Sequence, residues 1–318
     1  MSGRFISTHS VALVLPMHIA YMPERGGSVH ADAASSRPGG GFTTLCAAAA
    51  MGVPTAAASP LGTGPNSFAV RQQLVEAGVE ILTQELVGDI GVAIQLIERN
   101  GSMTSIVTAG VESEPSRTAL DRMVLRPGDL IHIAASDLTT PHSAMVLAGW
   151  GAALPASVRL VVSVSPAVEQ VPVESWRQLL KRADIVTMNV REAAALSSIL
   201  TTHEPGTGIR NLMKPEAALV RRTGIMGCEL QREQGAERIQ VPAFETRVAD
   251  TAGVGDTHIA TMCAALLKGK DIEEACSLAN AAAAIAISHE SALPVPTLEQ
   301  ILRVVKEGKA TGLTSQKA

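Results

Sequence analysis

Apolar and polar positions follow two periods along this chain. Short runs rich in Val, Ile, Leu and Ala lie over 11–15, 54–58, 130–134, 159–164, 184–188 and 217–221, each bounded by polar or turn-forming residues, and they read as strands. Between them, apolar positions recur at helical spacing over 43–51, 67–77, 173–181, 192–200, 257–268, 272–288 and 297–307. Strands alternating with helices predict an α/β fold, with a doubly wound, mainly parallel sheet covered on both faces.

Two segments break the alternation. The stretches 92–98 and 105–108 flank Arg99-Asn100-Gly101-Ser102, and Asn-Gly between strand-like runs signals a hairpin. The loop-rich stretch 21–37 adds further strands to the same piece. A small antiparallel sheet built from about 17–37 and 88–112 is therefore expected as a lid on one domain spanning 1–318. A lid of this kind excludes water from a reaction that water would otherwise divert. The segment 202–214, with Pro205, Gly206 and Gly208, reads as a surface connection, and the polar tail after Lys309 as frayed.

Composition narrows the picture. Hydrophobic residues make up 46% of the chain, enough for a large core, whereas aromatics make up 2%, which leaves few rings for stacking a base or sugar. A formal net charge of −4 argues against a nucleic-acid partner. Cys46, Cys228, Cys263 and Cys276 form no C-x-x-C pair and read as buried reduced thiols. The eight histidines are scattered, form no zinc-type cluster, and read as structural. The run 11–15 is too short to cross a bilayer and lacks a signal-peptide layout, so a cytoplasmic protein without a membrane partner is expected.

The chemistry concentrates in Asp250-Thr251-Ala252-Gly253-Val254-Gly255-Asp256, which runs into a helical stretch. Two glycines let the backbone approach a ligand closely, and the free amides at the helix start point toward an anion. A carboxylate beside such a site repels a phosphate unless it takes a proton from an attacking hydroxyl, so the local reading is phosphoryl transfer. A plain helix start with a Gly-x-Gly turn is the rival. A dinucleotide fingerprint fails because position 258 holds His258 where a third glycine is needed.

That run resembles the Asp-Thr-x-Gly-Ala-Gly-Asp signature of the ribokinase-like, or PfkB, family of carbohydrate and nucleoside kinases, with Val254 in place of alanine. Pro38-Gly39-Gly40-Gly41-Phe42 and the alanine-rich helix after it resemble the family's N-terminal signature, and Glu76-Ala77-Gly78-Val79 its downstream Gly-Val. Asn189-Val190-Arg191-Glu192 resembles the Asn-x-x-Glu motif. Gly224-Ile225-Met226-Gly227 sits where the family places a nucleotide-phosphate loop, and Ala279-Asn280-Ala281 where a helix flanks the adenine.

The resemblance implies an ATP-dependent kinase acting on a hydroxyl of a small sugar or sugar derivative. In it Asp256 is the general base, and Gly253, Val254 and Gly255 supply the anion hole. Asn189, Glu192, Thr223, Gly224, Gly227 and Asn280 fall to ATP, with Glu192 acting on Mg²⁺ through water. Gly39, Gly40, Gly41 and Thr43 fall to the acceptor. A potassium ion near the anion hole and a homodimer through the lid sheet are further implications.

Departures from the pattern gather on the acceptor side. The stretch Leu15-Pro16-Met17-His18-Ile19-Ala20-Tyr21 offers no aspartate after the expected first strand. Thr43 stands for an asparagine, Gly64 for an aspartate, and Ser165-Pro166-Ala167 for Asp-Pro-Asn. Arg222 replaces a loop threonine, and His258 an aromatic. Two alternatives therefore accompany the sugar kinase: a nucleoside kinase, for which only Phe42, Tyr21 and Phe68 offer rings, and a non-catalytic ligand sensor.

Overall fold

A computed structural model of the chain describes residues 3–34, 36–83, 85–99, 103–289 and 294–310. Among them, nine strands form the main sheet in the order Ile239–Val241, Cys228–Gln231, Ala218–Arg222, Ile185–Asn189, Arg159–Ser163, Leu130–Ala134, Phe5–Ser7, Thr55–Ala57 and Val79–Ile81. Every pairing from Ala218–Arg222 to Val79–Ile81 is parallel, and the two strands at the other edge are antiparallel. Strand pleating sends alternate residues to opposite cores. Ile131 and Ile133 join the cluster around Trp176, Leu179 and Leu160, while Leu130 joins the one around Met262, Ala264 and Ala281. Helices Pro141–Ala152, Val173–Arg182 and Val190–His203 contribute to the first layer, and Gly41–Ala50, Val254–Leu267 and Ile272–Ile287 to the second. Each wholly buried Leu or Ile contributes about 1.5–3 kcal/mol through removal from water.

A second sheet of five strands lies alongside. Its centre is Val11–Ile19, which pairs in parallel with Val92–Glu98 and antiparallel with Ala31–Ala34 and Arg37–Gly40; Met103–Val107 pairs antiparallel with Val92–Glu98 at the edge. The hairpin expected around Asn100-Gly101 thus has both its strands, with its tip outside the described residues.

One strand expectation is corrected. The run 11–15 does not open the main sheet: Phe5–Ser7 does, and Val11–Ile19 belongs to the small sheet. A three-residue strand carries too little periodicity to detect, while the longer apolar run after it mimicked a core strand. Helix Pro141–Ala152 was also unforeseen, although Thr140 caps it and Pro141 fills its first turn. The segment 202–214 is partly helical, through the end of Val190–His203 and the short helix Ile209–Leu212. The tail beyond Ala310 lies outside the described residues.

Candidate active site

In an open parallel sheet, ligands gather at the carboxyl ends of the strands. Four such ends converge here: Phe5–Ser7 leads to His9, Leu130–Ala134 to Asp137, Ile185–Asn189 to Glu192, and Ala218–Arg222 ends on Arg222. Helix Val254–Leu267 presents Asp256 in its first turn. Gly253 caps that helix at φ 71°, a left-handed conformation that glycine adopts without strain.

Asp256 has two cations near it. His9 Nε2 lies 4.0 Å from Asp256 Oδ1, and the Arg222 guanidinium, packed against Gly255, also attracts it. Arg222 lies against Gly255 so closely that a Cβ there would strike its Nη1. Withdrawal from solvent lifts the Asp256 carboxyl above the usual carboxylate range, and Asp137 adds to this, while His9, Arg222 and Thr44 pull the other way. The Thr44 hydroxyl is buried without a hydrogen-bond partner, although it is near enough to Asp256 to favour the ionised form.

His9 is itself held. Its Nδ1 lies 3.1 Å from Asp137 Oδ2, and Asp137 also accepts from the Ser10 N–H and, at 2.6 Å, from the Ser10 hydroxyl. Burial opposes a charge on His9, but Asp137 and Asp256 overcome it and raise the pKa to about 9. His132 behaves oppositely: burial and the neighbouring His9 charge push it down to about 3. It is the neutral centre of a chain from Ser7 to Ser163, at 3.0 and 2.9 Å.

Glu192 and Asn189 form a capping box on helix Val190–His203: the Asn189 N–H donates to Glu192 Oε2 at 2.7 Å, and the Glu192 N–H to Asn189 Oδ1 at 2.8 Å. Arg222 Nη2 donates to the same Oε2 at 3.1 Å. Glu192 is 3% exposed, so this is a buried ion pair directed at the Gly253–Gly255 loop. Arg222 Nε, also buried, has no partner.

The other sequence-selected residues divide. Thr223, Gly224 and Gly227 form a tight turn closed by the Thr223 N–H to Gly227 carbonyl bond, with Ile225 and Met226 projecting into solvent. Asn280 does not present its amide to that turn: Nδ2 donates to the Val241 and Pro242 carbonyls, and Oδ1 faces His258 Nε2 at 3.2 Å. Gly39 packs on Val14, and Gly40 and Gly41 pack on the backbone of His9 and Ser10, where a Cβ would collide. Thr43 is buried, and it is its neighbour Thr44 that lies near Asp256. Placing the first strand at 5–7 makes Thr8-His9-Ser10 the stretch that follows it; this stretch also has no aspartate, and the nearby carboxylate comes from Asp137.

His9, Ser10, Thr44, Asp137 and Arg222 are thus site residues that sequence reading did not select. A usable signal existed for Asp137, because Ser136-Asp137 are the first strongly polar residues after a fully buried parallel strand. Beside Asp137 and Ser10 opens a small polar cavity, lined also by Ser113, Ser136, Thr140 and Ser143, with no lysine or arginine in its wall.

The pfkB family carbohydrate kinase model matches residues 10–298. The chain belongs to that family. The uncharacterized sugar kinase YegV of Escherichia coli strain K12 is 28% identical over 288 residues, 88% of this chain and 87% of that protein. An ATP-dependent ribose-1-phosphate kinase of Halopiger xanaduensis is 26% identical over 309 residues, 96% of this chain and 98% of that protein. Arabidopsis thaliana ribokinase, solved with ribose and ATP, matches with TM-score 0.76 at 20% identity over 96% of this chain and 99% of its own, a likeness that shows the ribokinase fold. This PfkB kinase has no helix among the described residues long and apolar enough to cross a membrane.

Proposed function

We propose that this PfkB kinase transfers the γ-phosphate of ATP to a hydroxyl of a small, uncharged sugar or sugar derivative, with Asp256 as general base. The observation that carries the reading is Asp256 itself: a carboxylate in the first turn of a helix, beside glycine amides and within the field of the His9 and Arg222 cations. The two cations offset part of the desolvation that lifts the Asp256 carboxyl, which suits a base that takes the acceptor proton as the hydroxyl attacks. The amides of Gly253, Val254 and Gly255 receive the charge developing on the transferred group. Arg222, with an unpartnered Nε, adds a cation to the same anion site.

Glu192 fits Mg²⁺ through water, its Oε2 being engaged by the Asn189 N–H and Arg222. When bound, the ion would neutralise charge across the phosphates. The turn at 224–227, with exposed Ile225 and Met226, supplies an apolar rest for the nucleotide. The small sheet acts as the lid, and its exposed edge is the contact for a homodimer.

Hydroxyls and the carboxylates Glu112 and Asp137 line the acceptor cavity, which suits a neutral polyol. A larger cavity sharing Ala58, Pro60 and Pro115 with it, and bordered by Leu82, Leu86 and Met123, leaves space for an apolar substituent on the sugar. A nucleoside is less well served: Phe42 is 5% exposed and packed in the core, which removes one of three candidate rings. The test is acceptor-dependent ADP release with Mg²⁺-ATP over sugars, glycosides, sugar phosphates and nucleosides. Turnover of a neutral sugar or glycoside is expected; silence across the panel with ATP bound would favour the ligand sensor.

A further inference from the structure

We propose that His9 is a positioning residue for phosphoryl transfer: as an imidazolium it bridges Asp137, in the wall of the acceptor cavity, and Asp256, favouring the ionised form of the base. The proposal deepens the kinase reading and rests on it for its effect on rate.

The geometry is that of a bridge. His9 Nδ1 is 3.1 Å from Asp137 Oδ2, and Nε2 is 4.0 Å from Asp256 Oδ1, so the two ring nitrogens face two carboxylates from different elements. Its side chain is 10% exposed, and those of Asp137 and Asp256 are 7% and 29% exposed. Charges so shielded interact strongly. A histidine that merely pinned the loop would need only the bond to Asp137.

The local backbone is arranged around this ring. His9 and Ser10 form the strand-to-strand link from Phe5–Ser7 of the main sheet to Val11–Ile19 of the small one. Gly40 and Gly41 form the return from the small sheet into helix Gly41–Ala50. At Gly40 a Cβ would come within 2.7 Å of the Ser10 carbonyl and 3.6 Å of the His9 ring, and at Gly41 it would strike the His9 carbonyl. The glycines that resemble a ligand-binding signature thus also let the return from the small sheet pass directly over His9 and Ser10.

The charge balance shows what His9 adds. Facing Asp256 are His9 and Arg222, which stabilise its charge, Asp137, which opposes it, and the Thr44 hydroxyl. Facing His9 are Asp137, Asp256 and His132, whose ring is 6.2 Å away, edge-on and uncharged. Without the imidazolium, two carboxylates would repel each other with only Arg222 to offset them, and Arg222 already binds Glu192. Asp256 would then take up a proton at a higher pH.

Two measurements on the full chain test this. The first follows imidazole nitrogen shifts by NMR, with His9 assigned by the signal lost in His9→Gln. The wild-type ring is expected to titrate near 9 and to fall by at least about one unit in Asp256→Asn. A ring that titrates in the ordinary histidine range, or that ignores Asp256→Asn, would overturn the bridge. The second is the pH profile of acceptor kcat/KM: His9→Gln is expected to move the acid limb up by about one unit, so that the loss of rate is largest at low pH, with the ATP Kd close to wild type. An acid limb left at its wild-type pH in His9→Gln would overturn the claim that His9 holds the base ionised. The NMR titration needs no turnover, so the bridge stands or falls by it even if no acceptor is found and the kinase reading fails.

Discussion

At the scale of single residues, the site is an array of alternating charge. From Asp137 through His9, Asp256 and Arg222 to Glu192, each group faces neighbours of opposite sign. Gly255 is the position where this can be probed without touching an ionisable group. In Gly255→Ala the new methyl displaces the end of Arg222 and breaks its buried pair with Glu192, so folding stability is expected to fall by about 1–3 kcal/mol. Turnover should fall about 10²-fold as the guanidinium leaves the anion site; unfolding and steady-state assays on one preparation check both. The two buried histidines also shape stability against pH. His9, with its pKa raised to about 9, stabilises fully below the ordinary histidine value, and this is lost as pH rises through 9. His132, lowered to about 3, is neutral when folded, so the unfolded chain gains a proton, and stability falls, as pH drops below the ordinary value toward 3. Urea midpoints should therefore peak near neutral pH, with a shallower acid decline in His132→Gln.

Elements differ in how openly they announce themselves. Helix Val254–Leu267 and its glycine loop were legible because turn chemistry, helix start and carboxylate fall within one heptapeptide. Helix Pro141–Ala152 was not, because Gly149 and Gly151 weaken its propensity and apolar residues surround it. The structure supplies the reason for one glycine: a Cβ at Gly151 would come within 2.7 Å of Ile133 and 2.9 Å of Leu179. Gly41 illustrates the same close approach at the site. Gly41→Ala places a methyl against the His9 backbone carbonyl, an immovable neighbour, and is expected to cost about 2–3 kcal/mol and to raise the acceptor KM. Thermal unfolding and acceptor titration measure the two effects.

For the whole molecule, the parallel sheet and both helical layers followed from alternating periodicity, whereas the allocation of residues between sheet and lid did not. Val11–Ile19 is apolar enough for either, and only long-range pairing with Val92–Glu98 and Arg37–Gly40 assigns it to the lid. The site suffered most from this: His9 and Asp137 are 128 residues apart and meet only because their strands flank each other. The lid edge carries the oligomer expectation. Ile106 and Val107, 56% and 68% exposed, lie on the edge strand Met103–Val107, so wild-type protein is expected to run as a dimer in light scattering and Ile106→Lys to shift it to monomer.

Asp256 as general base is the central claim, and single-turnover phosphoryl transfer in Asp256→Asn, with ATP affinity measured alongside, tests it most directly. The account predicts a transfer rate lower by about 10²–10⁴-fold with ATP Kd within about twofold of wild type. Transfer at near wild-type rate in that variant would contradict it.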